Sequence, residues 1–275
     1  MIAHLPELLR LARNITGDAE RHFHGGPGRI HVKGDRDMTS DVDIAVEHEI
    51  RQALCRVTPS FGFLGEETGE YLPSAPIRWI LDPVDGTANF IRSMPLCGIS
   101  LALTYRRTAI LGVITLPYLQ RRYWAADGLG AWRDGQPIRA AATLSLPEAM
   151  IAVGDFRTGR GTPERDDARF ALLRALSEQA QRLRMLGTSA LDLALVADGG
   201  LDAVVTLSNR SWDTAAGVVI AREAGAAVTD LDASAHTLDS RATIAAAPGI
   251  HTDLLHLVRA AGSATSFDPS TRAQP

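Results

Sequence analysis

Apolar positions near the start of the chain recur at the spacing of one helical face. These positions are Leu5, Leu8, Leu9, Ala12 and Ile15. The repeat predicts an amphipathic helix that ends near Gly17. Residues 21–37 are rich in glycine and charge and predict a loop. A second helix, beginning close to Asp43, is predicted from the apolar positions Ile44, Val46, Ile50 and Leu54.

The middle of the chain has a different pattern. Short apolar runs separated by Gly, Pro and Asp follow one another between Phe61 and Ala149, which predicts a mostly antiparallel sheet. Beyond them, predicted helices and strands alternate: a helix over residues 168–181, a strand over 201–207, a helix over 212–224 and a strand over 226–231. This alternation indicates an α/β arrangement.

The change of pattern places a lobe boundary near residues 142–148. We therefore expect an N-terminal α+β lobe over residues 1–145 and a C-terminal α/β lobe over 146–262. The remaining segment, residues 263–275, is polar and rich in Ser, Thr and Pro, and is predicted to be disordered.

Composition and charge exclude several kinds of partner. With 45% hydrophobic and 22% charged residues, the chain has an ordinary globular composition. Its net charge of −4 and scattered Lys and Arg give no basic surface for nucleic acid. The N-terminal stretch is interrupted by charges and no run approaches membrane-spanning length, so we expect no membrane partner and a cytoplasmic location. Cys55 and Cys97 show no metal-ligand spacing and are expected to be free thiols.

The segment ILDPVDGTANF, residues 80–90, carries the strongest chemical signal. Asp82 and Asp85 follow an apolar strand, and Gly86 permits a tight exit, so both carboxylates and the carbonyl of Val84 can converge on one point. Mg²⁺ prefers such oxygen ligands and completes its shell with water and substrate phosphate. The amides that follow Gly86, at the start of a predicted helix that includes Thr87, can receive a phosphate. An N-capped helix after an Asp-Pro turn explains the segment without a ligand.

Further acids follow apolar segments elsewhere. Glu66 and Glu67 come directly after a predicted strand, where a cation would relieve their repulsion, although a solvated turn explains them equally well. Asp213 lies at the start of a predicted helix and can be a metal ligand or an N-cap.

Four segments together resemble the Mg²⁺-dependent, lithium-sensitive phosphatases of the inositol monophosphatase superfamily. They are GEE (65–67), WILDPVDGTANF (79–90), LGTSALDLALVADGGLDA (186–203) and WDTAAGVVIAREAG (212–225). The resemblance covers about residues 5–262. It implies an α/β fold, a layered αβαβα sandwich of the sugar-phosphatase type with the active site between two lobes. It also implies two or three Mg²⁺ ions, for which Mn²⁺ can substitute, a small phosphorylated metabolite as substrate, and a homodimer.

The same resemblance assigns roles to individual residues. The metal ligands implied are Glu66, Asp82, the carbonyl of Val84, Asp85 and Asp213. Thr87 is expected to polarise the attacking water together with Asp43, Glu66 is also counted as catalytic, and Asp41 is the alternative to Asp43. The residues expected at the substrate are Gly86, Thr87, Gly187, Thr188, Thr206 and Arg210. Lys33 and Glu67 are expected nearby. The loop predicted around Lys33 fits a flap that closes over the metals, although a solvated surface lysine explains this residue equally well.

Two departures from the family's motifs bear on the substrate. Thr206 occupies the place of a glutamate that contacts the sugar hydroxyls in inositol-specific members, and Ala88-Asn89 replaces the Lys-Glu pair usual in the nucleotidase branch. We therefore expect a phosphomonoesterase acting on a polyol, sugar or amino-alcohol phosphate. A histidinol-phosphate phosphatase, a 3'(2'),5'-bisphosphate nucleotidase and a non-catalytic ligand-binding homologue remain alternatives.

Two further motifs suggest other classes of protein. The sequence AAVTDLDAS mimics the nucleophile motif of haloacid-dehalogenase enzymes, with Asp230 as nucleophile, but it lies too near the C-terminus for the remaining motifs. His22, His24 and His31 suggest zinc, yet no partner lies at ligand spacing, so a polar loop is favoured.

Overall fold

The computed structural model describes residues 4–34, 37–155 and 163–263. Within them the helices are α1 (Leu5–Ala19), α2 (Asp41–Val57), α3 (Thr87–Ile91), α4 (Pro163–Gln179), α5 (Ser189–Ala197), α6 (Ser211–Glu223) and α7 (His251–Ser263). The strands are β1 (Ile30–Gly34), β2 (Asp37–Ser40), β3 (Gly62–Gly65), β4 (Gly69–Tyr71), β5 (Ile77–Asp85), β6 (Gly98–Tyr105), β7 (Thr108–Leu116), β8 (Arg121–Ala126), β9 (Ala131–Arg133), β10 (Gln136–Pro137), β11 (Met150–Val153), β12 (Arg182–Arg184), β13 (Ala203–Thr206), β14 (Ala227–Thr229) and β15 (Thr243–Ala246). No helix in this part of the chain has the length and apolar character needed to cross a membrane.

The strands form a hairpin and two larger sheets. β1 pairs with β2. Eight strands form the larger sheet in the order β10-β9-β8-β7-β6-β5-β3-β4, antiparallel except for the pair β3–β5. Five strands form the second sheet in the order β12-β11-β13-β15-β14, in which β11 is parallel to both of its neighbours. The mostly antiparallel character predicted for the first sheet is therefore confirmed.

Helices and sheets alternate in five layers. α1 and α2 cover one face of the eight-stranded sheet, and α5 and α6 lie between its other face and the five-stranded sheet. α4 and α7 cover the far face of the five-stranded sheet. Because both faces of the large sheet are covered, β6 and β7 are almost continuously apolar. This is the αβαβα sandwich that the resemblance to the phosphatase superfamily implied.

Several element boundaries differ from the predictions. α1 continues to Ala19, and the segment predicted to be a loop contains a 3₁₀ helix, Glu20–Gly25, and strand β1. α2 begins at Asp41 because Ser40 is its N-cap and exchanges hydrogen bonds with Asp43 in a capping box. Ile44, predicted to lie on the apolar face, is 48% exposed.

The connection between the two larger sheets contains the predicted lobe boundary. The first sheet ends at Pro137 and the second begins at Met150. The division at residues 145/146 remains a prediction. Of the tail predicted to be disordered, Ser263 is the last residue of α7 and residues 264–275 lie outside the described residues. Both predicted thiols, Cys55 and Cys97, are free.

A buried histidine predicts how stability depends on pH. His236 is 8% exposed, and its Nε2 lies 2.9 Å from Thr243 Oγ1. Burial lowers its pKa to about 4. Because the folded protein holds the neutral form, the unfolded chain binds the proton more readily, and stability is lost as pH falls from about 6.5 towards 4.

Replacing this histidine is expected to remove that part of the pH dependence. Between pH 7.5 and 5 the loss attributable to His236 is about 2 kcal/mol, from about 1.4 kcal/mol per pKa unit. We expect urea unfolding of His236→Gln to show a correspondingly smaller stability loss over this range than the wild type. His256→Gln, which changes an exposed histidine on α7, is the matched control and should follow the wild type. Parallel pH profiles for wild type and His236→Gln would contradict the prediction.

Candidate active site

The two aspartates of the central motif lie at the end of β5. Asp82 and Asp85 are 2% and 6% exposed. The pairing of β5 with β6 shifts register between them, which marks a bulge that turns the strand locally. The backbone N–H of Val84 donates to Asp82 Oδ1 at 3.0 Å. Gly86 then takes φ = 87°, a left-handed conformation that suits glycine, and leads into the short helix α3.

Acids from distant parts of the sequence surround Asp82. Burial raises the pKa of Asp82 well above its ordinary value, and negative charge from Glu66, Asp85, Asp213 and Asp43 raises it further. The fold therefore brings together the four carboxylates predicted as metal ligands and the predicted catalytic Asp43.

The parallel pairing of β3 and β5 explains how Glu66 reaches this site. The ends of the two strands meet at one edge of the sheet, and the Glu66 N–H donates to the Leu81 carbonyl at 3.2 Å. The turn after β3 is held by Glu47 of α2, whose carboxylate accepts from the N–H groups of Glu67 and Thr68 at 2.9 and 2.7 Å. A Cβ on Gly65 would overlap the Glu47 carboxyl, so this close approach requires glycine.

The structure distinguishes between Asp43 and Asp41, the two candidates for the partner of Thr87. The Thr87 hydroxyl lies 3.2 Å from Asp43 Oδ1 and 2.9 Å from the Val84 carbonyl. Asp43 is fully buried, which raises its pKa to about 6 against the opposing effect of hydrogen bonds from Ser40. The Asp41 side chain is 55% exposed and pairs with His31 at 2.9 Å. Asp43, the first of the two candidates, is therefore the one that faces Thr87.

The second half of the chain contacts Asp85 directly. Its Oδ2 accepts from the Thr188 hydroxyl at 2.5 Å and from the Ala190 N–H at 2.6 Å. Burial raises the pKa of Asp85 to about 6 despite these bonds. The preceding Gly187 has φ = 73° and lies beside Asn89. The side-chain amide of Asn89 donates to the carbonyls of Leu96 and Leu186 at 2.8 and 2.7 Å. The predicted pair Gly187–Thr188 thus lies against the aspartate motif.

Asp213 enters the site from α6, and it is not an N-cap. The N-cap position of α6 is Arg210, and Asp213 is the third helical residue. Burial and the charges of Asp85 and Glu66 raise the pKa of Asp213 well above its ordinary value. The helix is fixed on the large sheet by Ser100, whose hydroxyl donates to the Trp212 carbonyl at 3.2 Å.

Two cations lie beside the acids. Lys33 Nζ is 3.2 Å from Glu66 Oε1 and 2.7 Å from Glu67 Oε1. Burial acts to lower the pKa of Lys33, but the hydrogen bond to Glu67 and the two negative charges outweigh it and raise the pKa. The lysine lies on strand β1, where a loop was predicted. Arg210 is exposed, and its positive charge opposes the raised pKa values of Glu66 and Asp213. Thr206, the last residue of β13, is buried next to Gly154.

The donor set fits a hard divalent cation in charge and in ligand type. Buried carboxylates outnumber the neighbouring cations, and burial, together with their mutual repulsion, raises their pKa values. All the donors are oxygens, as Mg²⁺ prefers. As oriented here, however, no three His, Cys, Asp or Glu side chains in the described residues form a ready metal-binding group. Glu66 is paired with Lys33, and one oxygen of Asp85 is bound to Thr188.

Sequence reasoning missed two buried acids near the site. Glu47 lies one helical turn after Asp43 on the inward face of α2, and its position among apolar residues was the available signal. Asp192, in the apolar helix α5, is 1% exposed and its Oδ1 has no hydrogen-bond partner among the described residues. Burial and the charges of Asp85 and Asp155 raise the pKa of Asp192 well above its ordinary value.

The residues of the two rejected motifs have structural contacts. Asp230 accepts hydrogen bonds from the N–H groups of Arg241 and Ala242 at 2.8 and 3.1 Å, so it fixes a turn. His22 contacts Glu49, and His31 contacts Asp41. The two histidines therefore have different carboxylate partners.

Comparison with known proteins agrees with this geometry. The sequence profile described as the inositol monophosphatase family matches residues 6–263. The chain belongs to the inositol monophosphatase family. Its members are phosphoric monoester hydrolases that act on small phosphorylated molecules and are generally metal-dependent, so the predicted class of enzyme is confirmed.

Relatives within the inositol monophosphatase family carry more than one activity in their names. The inositol-1-monophosphatase ImpA of Mycolicibacterium smegmatis is 34% identical over 266 residues, covering 96% of each chain. A histidinol-phosphatase of Mycobacterium tuberculosis is 37% identical over 206 residues, covering 74% of this chain and 78% of the relative. The solved structure of the inositol monophosphatase of Thermotoga maritima superposes with a TM-score of 0.85 at 27% identity, covering 94% and 99% of the two chains. The predicted fold class is thereby confirmed.

Proposed function

We propose that this protein is a Mg²⁺-dependent phosphomonoesterase that hydrolyses a small polyol, sugar or amino-alcohol phosphate by attack of activated water. The observation that carries the proposal is the set of acids around Asp82, which come from α2, β5, α6 and the end of β3. Such a concentration of buried negative charge is unfavourable for the fold by itself and becomes useful when cations bind.

The residues that would hold the ions are Glu66, Asp82, the Val84 carbonyl, Asp85 and Asp213. Two or three Mg²⁺ ions, for which Mn²⁺ can substitute, would supply Lewis-acid stabilisation of the phosphoryl oxygens and lower the pKa of water. Of these ligands, Glu66 is paired with Lys33 in the structure, so binding an ion there requires the lysine to move or to share the carboxylate.

The side chains of Thr87 and Asp43 give the attacking water its orientation. When Asp43 is ionised, the Thr87 hydroxyl can donate its proton to Asp43 Oδ1, 3.2 Å away. The lone pairs of the hydroxyl oxygen are then free to accept a hydrogen bond from the attacking water, which polarises this nucleophile. The capping bonds from Ser40 use the other carboxylate oxygen of Asp43 and keep Oδ1 directed at Thr87.

The substrate portion beyond the phosphate would contact the second lobe. Gly187 and Thr188 lie against the aspartate motif, and Gly86 opens α3, where its neighbouring amides can meet phosphate oxygens. Thr206 offers no charge, whereas Arg210 is exposed and close enough to Glu66 and Asp213 to affect their pKa values. Among the esters proposed, a sugar phosphate with a second anionic group is therefore favoured over a polyol phosphate without one.

Removing the charge of Arg210 tests this preference. We expect Arg210→Gln to raise KM about tenfold for esters with a second anionic group, because one charge-assisted hydrogen bond is lost. For inositol 1-phosphate the KM should change less than about threefold, as expected for a group exposed to solvent. Steady-state kinetics on both kinds of ester provide the measurement, and Arg184→Gln, which changes an exposed arginine on β12, is the control. Equal effects on both esters would refute the preference.

Phosphate release from a panel of esters tests the proposed function as a whole. The panel contains inositol 1-phosphate, histidinol phosphate, a hexose phosphate, fructose 1,6-bisphosphate and a 3',5'-bisphosphonucleotide. We expect Mg²⁺-dependent release from at least one of the first four at a kcat within the usual range of about 1 to 1,000 per second. Release from the nucleotide alone would instead assign the nucleotidase reaction, and release without divalent ions would contradict the proposed role of Mg²⁺.

We also propose that the enzyme is a cytoplasmic homodimer. The resemblance to the family supports the dimer, and the free thiols of Cys55 and Cys97 suit the reducing environment of the cytoplasm. Light scattering coupled to size exclusion should give twice the mass of the 29.5 kDa chain. A mass equal to one chain would refute the dimer.

A further inference from the structure

A surface cleft lies between α1 and β8, and no residue of the carboxylate site lines it. Its inner end is a pit of about 60 Å³ lined by Arg13, Asn14, Val113, Arg122 and Trp124. The pit adjoins an open cleft of about 560 Å³, which also contains Arg13, Arg122 and Trp124 in its wall. The pit has room for several water molecules, and the cleft is within the range of about 300 to 1,000 Å³ typical of small-molecule sites.

The pit contains two guanidinium groups and no acid. The Arg13 guanidinium stacks on Trp124, with Cζ 3.7 Å from the ring centroid, and within the described part of the chain it has no carboxylate partner. Arg122 Nη2 is 2.8 Å from Glu20 Oε2. Burial lowers the pKa of Arg13, and the charge of Arg122 lowers it further, so the two cations repel each other across the pit.

The wider cleft adds a mixed set of charges. Arg121 and His24 line it, together with the acids Glu20 and Asp134. With the histidine neutral, three arginines and two carboxylates leave one uncompensated positive charge, and the acids lie outside the pit. The inner end therefore attracts an anion, and the polar outer walls suit the uncharged part of a small molecule.

We propose that this cleft binds a small phosphorylated molecule, with its phosphate or pyrophosphate group in the pit between Arg13 and Arg122. A tetrahedral oxyanion can accept a bidentate pair of hydrogen bonds from Arg13 and a further one from Nη1 of Arg122, whose Nε and Nη2 face Glu20. The Asn14 side chain provides a further donor at the same place. The stacking of Arg13 on Trp124 holds one guanidinium in position before the ligand arrives.

Pyrophosphate titrated calorimetrically into metal-free protein in EDTA buffer is the test. Without divalent ions the acidic catalytic cluster repels the probe, so the measurement is independent of the proposed phosphatase reaction. We expect one site per chain that weakens with added salt. Arg13→Gln and Arg122→Gln should each weaken the affinity about tenfold or more, through loss of charge-assisted hydrogen bonds.

Two further variants act as controls for the affinity for pyrophosphate: one should increase it and the other should leave it unchanged. Glu20→Gln should tighten binding, because it frees Arg122 from its carboxylate partner, and misfolding would not produce this result. Arg10→Gln, which changes an exposed arginine of α1 that does not line the cleft, should bind as the wild type does. Mg²⁺-dependent phosphate release should be unchanged in the two pit variants. The proposal is overturned if the wild type does not bind pyrophosphate, or if Arg13→Gln and Arg122→Gln bind it as tightly as Arg10→Gln does.

Discussion

Asp85→Asn is expected to lower the rate of phosphate release at least about a hundredfold, which corresponds to about 2.7 kcal/mol of lost transition-state stabilisation. The substitution keeps the size of the side chain, and an amide oxygen can still accept from Thr188 and Ala190. It removes one negative charge from the cluster around Asp82. The expected loss therefore reports the charge that holds the metal ions and not the packing between the lobes.

The stability of the same variant separates these two explanations. Asp85 adds to the repulsion that raises the pKa values of Asp82 and Asp213. Without metal, the variant should melt at the same temperature as the wild type or higher, because this repulsion is reduced. Added Mg²⁺ should raise the melting temperature of the wild type more than that of the variant. Asp253→Asn, at an exposed position on the outer helix α7, is the matched control for both assays. Full activity in Asp85→Asn, or inactivity accompanied by unfolding, would contradict the prediction.

The strand-plus-acid pattern and the resemblance to the family each predicted part of this site. An apolar run that ends in acids places those acids at a sheet edge, and parallel strands present their ends at the same edge. The pattern placed Glu66 and Asp82 each directly after an apolar run, whereas the resemblance to the family implied that they act together. The parallel pairing of β3 and β5 explains how they meet, although 15 residues separate them in the chain. The resemblance to the family added Asp213, whose local sequence fits an N-cap equally well.

What could not be predicted depends on tertiary contacts. Spacing alone did not decide between Asp41 and Asp43, because the outcome depends on how the Ser40 cap orients the first turn of α2. The β1–β2 hairpin that carries Lys33 is short, and the apolar residues of β1, Ile30 and Val32, are 43% and 78% exposed, so no apolar face directed at the core reveals it. The inward position of Glu47 on α2 indicates burial, but its partners are backbone N–H groups, which the sequence does not reveal.

Asp213 depends on the close packing of α6 against the large sheet, and that packing depends on a glycine. Gly112 lies in β7, and a Cβ at this position would overlap the backbone of Ala216, one turn after Asp213. Ala216 is fully buried between the sheets, so neither element can yield without opening the core. The absence of a side chain at Gly112 therefore sets the distance between α6 and the strands.

Gly112→Ala is accordingly expected to destabilise the protein by about 3 kcal/mol, the upper part of the range for overpacked cores. Urea unfolding measures this change, and Gly25→Ala, where an added Cβ has nothing within 4 Å, should stay within about 0.5 kcal/mol of the wild type. Because α6 must move outward in Gly112→Ala, the fraction that remains folded should also bind Mg²⁺ more weakly and release phosphate more slowly. A variant with wild-type stability and wild-type Mg²⁺ dependence would show that α6 is not held at this distance by Gly112, and that Asp213 reaches the other acids by some other constraint.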